Sequence, residues 1–96
     1  MITTKELKVN GHTVETLCMK LMEKSLIVLR GSKGYIMCGY LNMDAANKFN
    51  EVAVKVTGVA TIDDVLKAKS AEVSLAAEKL GIKKDMPVSE VLALIA

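Results

Sequence analysis

The stretch SLIVLRGSKGYIMCGYL, residues 25–41, decides the fold. Its two ends are runs of aliphatic and aromatic residues, and Gly31-Ser32-Lys33-Gly34 between them has the composition of a turn. The pattern predicts a β-hairpin whose symmetric register sets Arg30 against Tyr35 and Ile27 against Cys38. Along residues 35–41, Ile36, Cys38 and Tyr40 share one face, and Tyr35, Met37 and Leu41 share the other. Both faces are largely apolar, whereas a sheet wetted on one side alternates more cleanly. Something must therefore cover each face.

Upstream, ELKV and TVETLCMKLM flank Asn10-Gly11. Asn and Gly both tolerate the positive φ that a two-residue hairpin turn requires, so a second hairpin is predicted. It sets Val9 against His12 and Leu7 against Val14. Leu17, Met19 and Leu21 then share one face, with Val14, Cys18 and Met22 on the other.

Downstream, the period lengthens to that of helices. Asn42 is placed to cap a helix running to about Glu51, with Ala45, Ala46 and Phe49 inward. AVKV reads as a short fifth strand ended by Gly58. Thr61 caps a helix carrying Asp63 and Asp64 in its first turn, where carboxylates favour the dipole. Ser70 is the expected cap of the next helix, whose stripe is Val73, Ala76, Ala77 and Leu80 and whose C-terminal glycine is Gly81. Pro87 opens a last helix with Val88, Val91, Leu92 and Ile95 buried. The expected fold is α+β, a single small domain over residues 1–96. A mostly antiparallel sheet comes from the first half, and helices from the second half pack on one of its faces. The other apolar face most simply meets another copy of the chain.

About half of the residues are apolar and a quarter are charged, a composition that folds. Twelve lysines and Arg30 are interspersed with Asp and Glu, and the formal charge is only +2. Nucleic-acid binders concentrate basic and aromatic residues on one surface, so that class is not expected. No apolar run approaches the roughly 20 residues of a membrane-spanning helix, and MITTKELKVNGH lacks the apolar core of a secretion signal. Two cysteines are too few for a disulfide framework, so a reduced cytoplasmic protein is expected.

GYIMCGYL, residues 34–41, resembles the signature segment of the YunC-like proteins, a bacterial and archaeal family of unknown function. VTGVATIDDVL, residues 56–66, is similar to that family's valine-glycine-valine segment before a helix. AAEKLGIKKDM, residues 76–86, is similar to its alanine-rich helix ending in leucine-glycine. The resemblance covers essentially the whole chain. It departs at Asp85, where the family pattern leads one to expect glycine, and at PVSE, which replaces a more glycine-bearing helix start. It implies a small α+β domain that self-associates, and no particular reaction. Gly34, Cys38 and Gly39 are the signature positions.

Cys38 has the side chain of a nucleophile, but a reactive thiolate needs a neighbouring cation, helix N-terminus or histidine. Arg30, Lys33 and His12 stand at no telling spacing from it, and a cysteine inside a strand also serves as a small apolar side chain. Gly39 inside a strand predicts a close approach by a backbone or a ligand. RGSKG can cradle an anion through its amides, Arg30 and Lys33, although a plain turn explains it as well. His12, Cys18 and Cys38 lack metal-site spacing, and no cofactor is implied. Arg30, Lys33, Tyr35 and Asn42 are the candidate ligand-binding residues. The expected function is a non-catalytic homo-oligomeric module, trimeric rather than dimeric, that binds a small anionic metabolite. The alternatives are a thiol-dependent enzyme using Cys38 and a purely structural protein-interaction module.

Overall fold

A computed structural model describes residues 2–96. Strands β1 (Ile2–Val9) and β2 (His12–Lys20) form the first hairpin, with Val9 opposite His12 and Leu7 opposite Val14. Asn10 and Gly11 sit at φ 51° and 82°, the left-handed pair that lets two residues reverse a twisted ribbon. Strands β3 (Ser25–Arg30) and β4 (Tyr35–Met37) form the second, with Arg30 opposite Tyr35. Helix α1 (Met43–Lys48) then carries the chain to β5 (Ala53–Lys55), which runs parallel to β4. A parallel neighbour needs such a crossover, because no tight turn can return the chain in the same direction. A sixth strand, β6 (Glu72–Val73), closes a sheet of order β1-β2-β3-β4-β5-β6, the order of the chain itself.

Helices α2 (Ile62–Leu66), α3 (Leu75–Leu80) and α4 (Val88–Ile95) belong to the second half and pack on one face. Their core contributions are Val65, Ala77, Val88, Val91, Leu92 and Ile95, which meet Val14, Ile27, Leu29, Ile36 and Val54 from the sheet. Helix α1 lies on the opposite face. There Ala46 and Met43 pack with Tyr35, Met37, Leu41 and Ala53, which covers only the β4–β5 end. On that side β1 to β3 present the half-buried Leu17, Met19, Leu26 and Val28 and the exposed Ile2.

Several elements end earlier than the residue pattern predicts. β2 stops at Lys20, because the chain turns with Leu21 N–H donating to the Lys24 carbonyl at 2.9 Å; Met22 is then 87% exposed. α1 ends at Lys48, and Phe49, expected to face inward, is 69% exposed over the Lys48 ammonium. Leu80 is likewise exposed rather than inward. Ser74, not Ser70, caps α3. Residues 72–73 pair with β5, which takes Val73 out of the helix. The buried Ser70 hydroxyl instead donates to the Lys83 carbonyl and accepts from the Met86 amide. Ser74 accepts from the Ala53 and Ala77 amides and donates to the Glu51 carbonyl, so one hydroxyl ties α3 to β5.

Candidate functional site: a cleft beside Cys38

β4 is shorter than the apolar run that encodes it because the backbone turns away at Cys38. The Cys38 amide still donates to the Ile27 carbonyl at 3.1 Å, as the predicted register requires. Its carbonyl does not return to the ladder but accepts from the Leu41 amide at 3.1 Å, closing a turn over Gly39 and Tyr40. The Ile27 amide would be left without an acceptor. The Cys38 thiol supplies one: Ile27 N–H donates to Sγ at 3.4 Å, and the thiol in turn donates towards the Ser25 carbonyl at 3.6 Å. Cys38 is 3% exposed within the main core. Its sulfur therefore completes the end of a strand, a role that an aliphatic side chain cannot fill.

The turn opens a cleft of about 480 Å³ between the β2–β3 connection, the Cys38–Tyr40 segment and the loop before α2. Lys24, Cys38, Gly39, Tyr40 and Gly58 are among its lining residues. Gly39 is exposed, and a Cβ there would meet nothing within 4 Å. The expected close approach at Gly39 is thus absent among the described residues, because the strand has ended before it. Close approach falls on the two turn glycines instead. A Cβ on Gly31 would collide with the Ile95 carbonyl, and one on Gly34 with Val52.

Three of the four candidate ligand side chains, those of Arg30, Tyr35 and Asn42, are engaged by other partners. Arg30 lines a shallow groove of about 590 Å³ on the open face and pairs with Glu15 across β2 and β3. Tyr35 stands opposite Arg30, but its hydroxyl donates to Glu51 at 2.8 Å. Burial, then the Glu51 acceptor and its charge, push the phenol up to about 12. Asn42 accepts from the Ala45 amide as the cap of α1. Lys33 is exposed at the hairpin turn, and its amide donates to the Ile95 carbonyl at 2.8 Å. With the Gly31 amide bound to the Gly34 carbonyl and the Ser32 hydroxyl to the Ala96 carbonyl, the turn's amides at 31 and 33 are spent on its own fold. His12 lies in the distal hairpin, far along the chain order of the sheet from β4. Asp64 accepts from the Ala60 and Thr61 amides, and these hydrogen bonds hold its carboxyl below the usual range; with Thr61 it forms a capping box. Among the described residues, no three His, Cys, Asp or Glu side chains come together as a metal site.

The model of the family described as a domain of unknown function, DUF1805, matches residues 37–95. The chain is also 35% identical to the uncharacterized protein YunC of Bacillus subtilis, over 96% of this chain and 95% of that one. The chain belongs to this family. Its fold superimposes on the crystal structure of a protein of unknown function, TA1206, from Thermoplasma acidophilum, with a TM-score of 0.96 and 38% identity over 100% of this chain and 94% of that chain. The α+β architecture expected from the sequence is therefore the one observed, and it is shared with that solved structure. The family model's match begins at Met37, so Cys38, Gly39 and the whole loop before α2 lie inside it, whereas Gly34 lies outside. The departure at Asp85 also has a structural counterpart. Asp85 sits at φ 63°, a left-handed position that glycine occupies without strain.

The residue pattern singles out Cys38 as an alternative nucleophile and Gly39 as a point of close approach, but it puts the ligand candidates at Arg30, Lys33, Tyr35 and Asn42 and gives no sign of Lys24 or Gly58 beside the cleft. The loop signal at Gly58 was visible; nothing in the residue pattern brought it beside Gly39.

Proposed function

We propose that the protein is a non-catalytic module that works as a homo-oligomer, with the open face of its sheet in the subunit interface. One observation carries this reading: Leu17, Met19 and Val28 form a half-buried apolar patch on the face turned away from the main core, and neither core cluster takes them in. Apolar surface of this kind marks an interaction site, and a symmetric copy is the simplest partner. Sedimentation equilibrium at micromolar concentration reads the assembly directly. Val28→Glu is expected to dissociate it, since an unpaired charge buried in an interface costs several kcal/mol. A wild-type monomer would overturn the reading.

Cys38 supports the non-catalytic half. Its sulfur is committed to Ile27 and Ser25, and neither His12 nor Arg30 lines its cleft. The two free cysteines support a reducing, cytoplasmic setting. A small-molecule ligand has its best place in the Gly39 cleft, whose volume falls within the range of ligand pockets, rather than at the Arg30, Lys33, Tyr35 and Asn42 positions. Glu23 and Lys24 at its rim give it both signs of charge, so the anionic preference rests on Lys24 alone. Isothermal titration with small carboxylates and phosphates, repeated on Gly39→Leu, tests this: binding to the wild type that the filled cleft loses supports it, and no heat from either protein removes the ligand.

A further inference from the structure

Strand β1 is one edge of the sheet, and Ile2 to Glu6 and Lys8 are exposed along it. We propose that β1 pairs antiparallel with β1 of a second copy about a two-fold axis at Leu7, joining two sheets into one. This rests on the homo-oligomer reading above and names an edge contact that the open face does not supply.

The backbone pattern fixes which residues are free to pair. Val9 and His12 flank a two-residue turn and so exchange both of their hydrogen bonds. By alternation Leu7, Lys5 and Thr3 also point their amides and carbonyls at β2, while Lys8, Glu6 and Thr4 point theirs outwards. Two-fold pairing sets residues of the same parity opposite each other. Centring on Lys5 opposes Lys5 to itself, centring on Glu6 opposes Glu6 to itself, and centring on Lys8 does the same for Lys8. Like charges directly opposite are destabilising. Centring on Thr4 opposes no charges and leaves Leu7 beyond the pairing. Only the register centred on Leu7 sets opposite charges together, with Glu6 of each copy facing Lys8 of the other. Those residues also carry the outward hydrogen-bonding groups, and Leu7, half-buried at the rim of the core, meets its own copy.

The charges within the chain point the same way. Glu6 stands opposite Glu15, and Glu15 is engaged with Arg30 in the single ion pair among the described residues. Glu6 thus faces a like charge, with no cation of its own among the described residues. The Lys8 ammonium has, among the described residues, only the Thr13 hydroxyl, at 2.6 Å. Lysines on an edge strand commonly serve to block pairing. Here the Leu7-centred register turns the same lysine into a partner.

The test is a charge exchange read by sedimentation equilibrium. Glu6→Lys and Lys8→Glu each put like charges opposite in that register, and each is expected to weaken association at least about tenfold. The double variant Glu6→Lys/Lys8→Glu restores the pairs with reversed sign and is expected to regain the wild-type mass. Both positions are exposed, so the variants should fold. As a second readout, Leu7→Cys should give a covalent dimer on mild oxidation that the wild type does not, since directly opposite residues without shared hydrogen bonds bring Cα atoms within disulfide reach. A wild-type oligomer indifferent to both single variants, with no Leu7→Cys cross-link, would overturn the edge pairing and leave the open-face reading standing. So would a trimer. A wild-type monomer would overturn both.

Discussion

The Ile27 amide donates to the Cys38 thiol across β3 and β4, at the point where β4 leaves the sheet. Replacing Cys38 by Val keeps an apolar side chain but leaves that amide without an acceptor, at a cost of about 1–3 kcal/mol. Cys38→Ser, whose hydroxyl can accept, should lose less. Urea denaturation of the two variants checks the order. With Cys38 3% exposed and Cys18 half-buried, iodoacetamide at pH 7 should label Cys18 first and Cys38 only on unfolding, as peptide mass mapping will show. A native Cys38 that outpaces Cys18 would bring the thiol-enzyme reading forward.

Gly31 and Gly39 should respond oppositely to alanine. At Gly31 the added methyl meets the Ile95 backbone, which cannot move without disturbing α4, so Gly31→Ala is expected to cost 1–3 kcal/mol or more, roughly the range of overpacking. Gly39→Ala points into open space and should shift the melting temperature very little.

Ser74→Ala removes a helix cap and, with it, the partner of the Ala53 amide and the Glu51 carbonyl. A lost cap alone costs about 1 kcal/mol, and a buried amide and a part-buried carbonyl left unpaired raise the total to roughly 2–4 kcal/mol. The denaturation midpoint should fall with the slope unchanged.

Tyr35 gives the protein a defined alkaline limit. Its phenol titrates near 10 when unfolded and at about 12 when folded, so between those values the folded state holds a proton that the unfolded state has lost. The stabilisation is complete below pH 10 and declines as pH rises towards 12. The phenol is partly open to water, so the drop should be smaller than the full shift implies. Tyr35→Phe should flatten that part of the stability curve; identical curves for the two proteins would refute it.

Asp85→Gly should stabilise the protein by about 0.5–1 kcal/mol, because it relieves a left-handed residue and leaves the Asp85 amide bond to the Ser70 carbonyl intact. A lower melting temperature would show that the Asp85 side chain has a role of its own.

The two hairpins are legible because their registers are written in the turns: Asn10-Gly11 fixes one, and the four residues from Gly31 to Gly34 fix the other. Helix starts at Asn42 and Thr61 are equally plain, since a cap acts within its own turn. What stays hidden depends on distant partners. Ser70 is the cap that the residue pattern offers, and only the pairing of residues 72–73 with β5 moves the helix start to Ser74. Cys38 and Gly39 stand out as a pair, yet the apolar run to Leu41 conceals the turn that opens the cleft. Arg30 and Tyr35 look available until Glu15 and Glu51 are seen beside them.

A sheet laid down in chain order suits a nascent chain. Each strand finds its partner in the strand just before it, so pairing can follow synthesis as residues leave the ribosome. The ties from the Lys33 amide to the Ile95 carbonyl and from the Ser32 hydroxyl to the Ala96 carbonyl are exceptions, for they join the second hairpin to the end of α4. Until that helix has emerged, Ile27, Leu29 and Ile36 lack part of their cover. The growing chain is then most open to chaperones and proteases, and α4 is the segment whose arrival closes that interval.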